Sequence, residues 1–255
     1  MTDLICYEQP LNERLRLFLR LDHLFQSVFQ QTAGTSEWQT RWVIEGLLDL
    51  MELVGRGDVK SELVKELERL AGSLTALERM PNVDSARLEK ILTNMDALID
   101  RLHAEGPTPA TALNRSELLA GLRRRHHISG GKCDFDLPIF HFWLKQDPES
   151  RAADVQRWLD SLESLRLGVQ LVLKLIRESA GFAEEFAEAG FFQRALDANR
   201  ANQLLRVGLD RNGGLFPEIS SGKHRFAIRF MEYSESERPR QTESRVGFRL
   251  SCCSL

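Results

Sequence analysis

The sequence predicts an α+β fold, and two observations carry that reading. Apolar residues recur at helical spacing over most of residues 10–180, whereas from about residue 202 apolar and polar positions alternate at period two. Helices followed by strands point to a helical body with an antiparallel sheet, not to alternating parallel units. The predicted organisation is an N-terminal and central helical bundle domain over 10–180. A small antiparallel β-domain comes mainly from the C-terminal third, 181–255, joined by an N-terminal strand within 1–9.

Each element has a local reason. Residues 4–9 are short and mixed enough for an edge strand, and Pro10 opens a new element. Leu15, Phe18, Phe25 and Phe29 then fall on one helical face, with Arg16, Arg20 and His23 as a second, basic line. A second helix over 36–54 ends at Gly55-Arg56-Gly57, and Asp58 is placed to cap a third that reaches about residue 78. Pro81 stops that run, and Asp84 caps a fourth helix whose apolar stripe is Leu88, Leu92, Met95, Ile99 and Leu102. Three helices in hairpin succession imply a bundle.

Residues 106–113 read as a loop, and Ser116 caps a helix expected to run to about residue 128. Its last turn would hold Arg123, Arg124, Arg125, His126 and His127, where cations favour the helix C-terminus. Gly130-Gly131 breaks the chain before a short helix carrying His141 and Trp143, and further helices follow from about Asp147 and over 161–179. Beyond about residue 202, Leu205, Val207 and Leu209 alternate with Arg206, Gly208 and Asp210, and Asn212-Gly213-Gly214 is a strong turn signal. Residues 232–244 read as an exposed hairpin loop.

The segment from Gly222 to Phe230 is the most informative. As a strand, it places Lys223, Arg225 and Arg229 on one face and His224, Phe226, Ile228 and Phe230 on the other. The segment from Arg245 to Cys252 repeats the pattern, with Arg245 and Arg249 opposite Val246, Phe248 and Leu250. Both strands are expected to turn an apolar side to the core and guanidinium groups toward a partner.

Bulk properties narrow the function. The chain has 255 residues, 42% of them hydrophobic, and a formal charge of −3, so it can bury a core and does not suit a general polyanion binder. Of 34 basic residues seven are lysine, which leaves 27 arginines. Arginine's planar fork suits carboxylates and phosphates, although a GC-rich genome produces the same bias. The start has no basic and apolar leader, so the protein is expected to stay in the cytoplasm. The apolar stretch 165–176 is interrupted by Arg166, Gln170 and Lys174, so it reads as a core helix and no membrane insertion is expected.

Catalytic patterns are not found. Asp134 and Asp136 have no further acid/base partner, Ser129-Gly130-Gly131 lacks the length and lysine of a phosphate loop, and no Gly-x-Ser-x-Gly occurs. The four cysteines, Cys6, Cys133, Cys252 and Cys253, lack metal-ligand spacing, and adjacent His126 and His127 cannot share one helix face. No enzyme activity, metal or cofactor is therefore expected. On its residues alone, His141 reads as a satisfied structural histidine in an aromatic setting. Arginines over an apolar floor suit a peptide with carboxylates and apolar side chains. The alternative is a nucleic-acid-binding module, which the pattern disfavours because the aromatics lie opposite the arginines.

Several separated motifs resemble the Z-ring-associated protein D (ZapD) family of bacterial division factors. They are Pro10-Leu11-Asn12-Glu13 with the arginine-rich first helix, Arg56-Gly57 before Glu62-Leu63 and Lys65-Glu66-Leu67, and Gly130-Gly131 with Cys133. Phe135-Asp136-Leu137-Pro138 with His141, Trp143 and Leu144, then Ser221-Gly222, Arg225-Phe226-Ala227-Ile228-Arg229-Phe230-Met231 and Cys252-Cys253 complete the series. The resemblance implies a homodimer that binds the C-terminal tail of the tubulin-like division GTPase FtsZ and cross-links its filaments at mid-cell. It also implies an electropositive pocket for the tail, to which Arg16, Arg20, Arg56, His141, Arg225 and Arg229 carry over. The stretches 104–113, 181–202 and 232–244 depart from the pattern, and no role is transferred to them.

Overall fold

A computed structural model describes residues 4–31, 36–55, 57–77, 84–105 and 111–255. The fold is α+β, as the periodicities predict. Two compact units divide the chain: Arg20–Val172, and a second that joins the residues up to Leu19 with Leu173–Leu255. Arg56 lies outside the described residues.

In chain order the elements are β1 (Leu4–Pro10), α1 (Glu13–Gln31), α2 (Glu37–Gly55), α3 (Val59–Leu77) and α4 (Ser85–Ala104). Then come α5 (Thr111–Asn114), α6 (Glu117–Arg124), α7 (Pro138–Leu144), α8 (Pro148–Asp160) and α9 (Glu163–Glu178). The remaining strands are β2 (Ala183–Ala187), β3 (Phe191–Ala195), β4 (Asn202–Asp210), β5 (Leu215–Ser221), β6 (Arg225–Glu232), β7 (Arg240–Gln241) and β8 (Val246–Ser254).

The helical unit Arg20–Val172 is organised by its caps and its leucines. Ser36 Oγ accepts from the Gln39 amide at 3.2 Å and Gln39 Oε1 accepts from the Ser36 amide at 3.2 Å, a reciprocal box that starts α2. The caps on Asp58 and Asp84 accept from Ser61 and Arg87, and Ser116 and Asp147 accept from Leu119 and Ser150. Leu47, Leu48, Leu63, Leu67, Leu119, Leu165 and Val169 are fully buried. Gly168 permits α9 to approach α3, since a Cβ there would stand 2.7 Å from Leu63 Cδ2.

Three readings of this unit are corrected. The segment 111–114 is a short helix, not loop. Helix α6 ends at Arg124 instead of about residue 128, because successive short bonds, Arg125 N to Leu122 O, Ile128 N to Arg125 O and Gly131 N to Ile128 O, turn the chain before its glycines. The buried line of α4 is Leu88, Met95, Leu98 and Leu102, so Leu98 joins it while the expected Leu92 and Ile99 are only half-buried.

The β unit contains two antiparallel sheets. One has the order β1-β4-β8-β2, with β1 at the edge as predicted, and the other has β3-β6-β5 with β7 also paired to β6. Leu205, Val207, Leu209, Phe248 and Leu250 from the first meet Phe226, Ile228 and Phe230 from the second in one core. Ring centroids of Phe230 and Phe248 are 4.9 Å apart, and those of Phe192 and Phe248 are 5.1 Å apart.

The outer face of the first sheet carries the C-terminal end of α9. Ser251 Oγ donates to Ala180 O at 3.0 Å, and Arg206 Nη1 donates to Arg177 O at 3.3 Å. Glu8 of β1 accepts from Arg177 Nη2 at 2.7 Å and from Arg206 Nε at 3.1 Å, which joins helix and sheet through one carboxylate.

The hairpin β2–β3 lies where strands were not expected. Its sequences, Ala-Glu-Glu-Phe-Ala and Phe-Phe-Gln-Arg-Ala, carry little period-two contrast, and in β2 only Ala187 is buried. Lys223 and His224 lie in a bend before β6 and both are exposed, so His224 is not on the core face. Arg245 likewise precedes β8. It pairs with Glu188 at 2.9 Å while Arg249 reaches Glu184 at 4.0 Å, so carboxylates within the chain engage both.

Removing the carboxylate in Glu8→Ala leaves two guanidinium groups without their shared acceptor. The expected cost is about 2 kcal/mol, read as a lower urea midpoint of the β unit; an unchanged midpoint would show that the fork adds nothing to stability.

Candidate functional site

The outer face of the β3-β6-β5 sheet is open. Antiparallel register aligns Ala227 with Gln193 on β3 and Ser220 on β5, and sets Arg229 between Phe191 and Glu218. Arg225 stands beside Ala195. The two arginines stand four positions apart on one face, about 13 Å along the strand. The small Ala227 between them leaves a groove of about 590 Å³.

The electrostatics of this groove follow from what is missing around it. Arg225 and Arg229 are exposed and have no ion-pair partner among the described residues. Gln193 and Ser220 supply neutral donors and acceptors between the two cations, and Glu218 is the acidic side chain at the rim. Such a face can hold an extended segment that presents carboxylates to the arginines and backbone or small side chains to the floor.

The other predicted site residues stand as follows. Gln9 Nε2 donates to Ser221 Oγ at 3.4 Å, which brings the end of β1 to the Ser221 end of the groove. Asn12 Oδ1 accepts from the Leu15 amide at 2.8 Å and starts α1, and Arg16 lies one turn further on, bonded to Glu13 Oε1 at 3.2 Å. Arg20 is exposed four residues along the same helix. His141 is exposed on α7, which corrects its reading as a satisfied structural histidine: Phe140, Trp143 and Leu144 take the buried positions. The structure therefore brings Arg225 and Arg229 onto one face, with Arg16 in the same unit. Arg20 and His141 belong to the Arg20–Val172 unit.

Sequence reasoning missed Phe191 and Gln193, because β3 was not read as a strand. Gly190 before Phe191-Phe192 was the available signal. Phe191 also qualifies the expectation that every aromatic lies opposite the arginines, since it shares a face with Arg229. Burial pushes the Cys6 and Cys252 thiols above their ordinary range, opposed in part by Arg206 and Arg194 respectively, so the thiolate form needed for nucleophilic attack is disfavoured in both.

These features define an α+β protein whose β unit presents an open, arginine-lined groove. A family model described as "ZapD: Cell division protein" matches residues 19–229. A cell division protein ZapD of Methylococcus capsulatus is 41% identical over 255 residues and covers 100% of both chains. Those of Bordetella pertussis and Coxiella burnetii are 36% identical over 254 residues and 32% over 253, covering 100% and 98% of each chain. The chain belongs to the ZapD family of cell division proteins. No described helix is long and apolar enough to cross a membrane.

The two faces of β6 make a paired test. Arg225→Ala should change stability by no more than about 0.5 kcal/mol, the usual range for exposed side chains. Phe226→Ala, one residue on and fully buried, should cost about 3–5 kcal/mol. Equal costs in thermal unfolding would contradict the face assignment.

Proposed function

We propose that this chain is a non-enzymatic, cytoplasmic cell-division factor that binds the C-terminal tail of FtsZ, and that its homodimer cross-links and bundles FtsZ filaments at mid-cell. The observation that carries the reading is the pair of unneutralised arginines on β6, set on an open groove in a member of a cell-division family. Arg225 and Arg229 orient tail carboxylates while Phe191 offers apolar contact at the rim. The family resemblance adds Arg16, Arg20, Arg56 and His141 as further candidates for tail contact. Trp38 and Trp42, 75% and 71% exposed, supply apolar surface of the kind that association covers, which supports self-assembly.

Physical estimates agree with this role. A short tail that orders on a basic groove binds at about micromolar affinity, near −8 kcal/mol, because ordering offsets much of the contact energy. Many tails on one filament and two grooves on one dimer raise avidity by roughly 100-fold without new contacts. Exposed charges make the interaction salt-sensitive, with screening beyond about 8 Å at physiological ionic strength. The nucleic-acid alternative requires several stacking surfaces, and with Phe226 and Phe230 buried on the far side of the strand Phe191 is the aromatic left beside Arg229.

Co-sedimentation with polymerised FtsZ tests the proposal. The chain is expected to pellet with FtsZ at low salt, less so at high salt, and not with FtsZ that lacks its C-terminal tail. Arg225→Glu should abolish pelleting while the far-ultraviolet circular dichroism stays native. Pelleting that survives tail removal would move the contact to the filament body, and no pelleting together with a salt-steep gel shift on nucleic acid would favour the alternative.

A further inference from the structure

Helix α2 carries Glu45, Asp49 and Glu52 at spacings of four and three, which sets three carboxylates on one helical face. Opposite them lies the turn that follows α6. Because α6 stops at Arg124, the adjacent His126 and His127 are not splayed around a helix, and both rings turn to α2. His126 Nε2 is 2.9 Å from Asp49 Oδ1, and His127 Nε2 is 3.3 Å from Glu52 Oε2. The ring centroids are 5.0 Å apart, and one ligand atom each from Glu52, His126 and His127 lie within 4.8 Å of one another.

We propose that this cluster is a site for a divalent transition-metal ion of the zinc class, held by His126, His127 and Glu52, with Asp49 or water completing a four-fold shell. Two imidazoles with one or two carboxylates form the nitrogen and oxygen set that Zn²⁺ takes at about 2.0–2.2 Å. Tetrahedral ligand atoms at that bond length stand about 3.3 Å apart, so binding requires the three ligand atoms, now within 4.8 Å of one another, to draw inward. His127 is exposed and free to do so, while His126, with a side chain only 12% exposed, is already held.

The surroundings define the ring's chemistry. Lys132 Nζ lies 3.1 Å from His126 Nδ1 and also contacts Glu45. An ammonium only donates, so Nδ1 accepts and Nε2 carries the proton that reaches Asp49. Coordination through Nε2 would leave the ring proton on Nδ1, where Glu45 Oε2, 3.5 Å away, would accept a hydrogen bond and orient the ring as an outer-shell carboxylate. Lys132 must then turn aside, and it competes with the metal for the cluster. The bound ion would clip the segment between α6 and α7 to α2.

The test is calorimetric titration of the untagged, EDTA-stripped full chain with zinc chloride. One ion per chain is expected. His126→Ala and His127→Ala should each weaken binding by at least roughly tenfold, the loss seen even for outer-shell partners, Lys132→Met should tighten it, and Cys133→Ser should leave it unchanged. Imidazole nitrogen spectra of the unsubstituted chain keep the proposal testable if a variant misfolds: zinc should shift two of the six histidines. Absence of binding, binding unaffected by either histidine change, loss in Cys133→Ser, weaker binding in Lys132→Met, or shifts at other histidines would each overturn it.

Discussion

Face-to-face packing of the two sheets around Phe226, Ile228, Phe230 and Phe248 is the constraint on which the β unit depends. Period-two geometry leaves no freedom once those rings are buried: Arg225, Ala227 and Arg229 must point away from the core. A slip of one residue would bury two guanidinium groups and expose three apolar side chains, so the core itself enforces the register. The site is thus a by-product of packing, and needs no loop to position its cations.

Two strands with nearly the same pattern have different fates for an electrostatic reason. On β8, Arg249 and the preceding Arg245 meet Glu184 and Glu188 from the β2 side, and Arg245 also lies over the Phe186 ring with 4.3 Å to its centroid. On β6, the neighbours across the ladder are Ala195, Gln193 and Ser220, and Arg229 stands between Phe191 and Glu218, the one acidic side chain among them. A chain with a formal charge of −3 therefore concentrates unneutralised positive charge in one groove. This local excess, more than the number of arginines, is what the proposed binding of an acidic segment rests on.

The legible parts of the sequence were those where local chemistry and packing agree. The caps at Asp58, Asp84 and Ser116 form as read, because a side-chain acceptor placed before an apolar run satisfies an orphan amide whatever surrounds it. The inward residues of β6 were legible through alternation. The β2–β3 hairpin was not, since an edge strand with one buried side chain shows no alternation. For the same reason Phe191 and Gln193 went unread, although they complete the groove. His126 and His127 were misjudged on a helical premise, and the short turns after Arg124 reverse the conclusion about where their rings can point. His141 looked structural because its neighbours are aromatic, yet those neighbours occupy the buried positions and leave it outside.

The central claim is that the β6 groove receives the FtsZ tail. Titration of the ¹⁵N-labelled chain with a synthetic FtsZ C-terminal peptide, followed by amide chemical shifts, tests it most directly. The account predicts saturable shifts on Arg225–Arg229 and on the facing residues of β3 and β5, reduced as salt rises. Shifts that saturate while those three strands stay unmoved would contradict it.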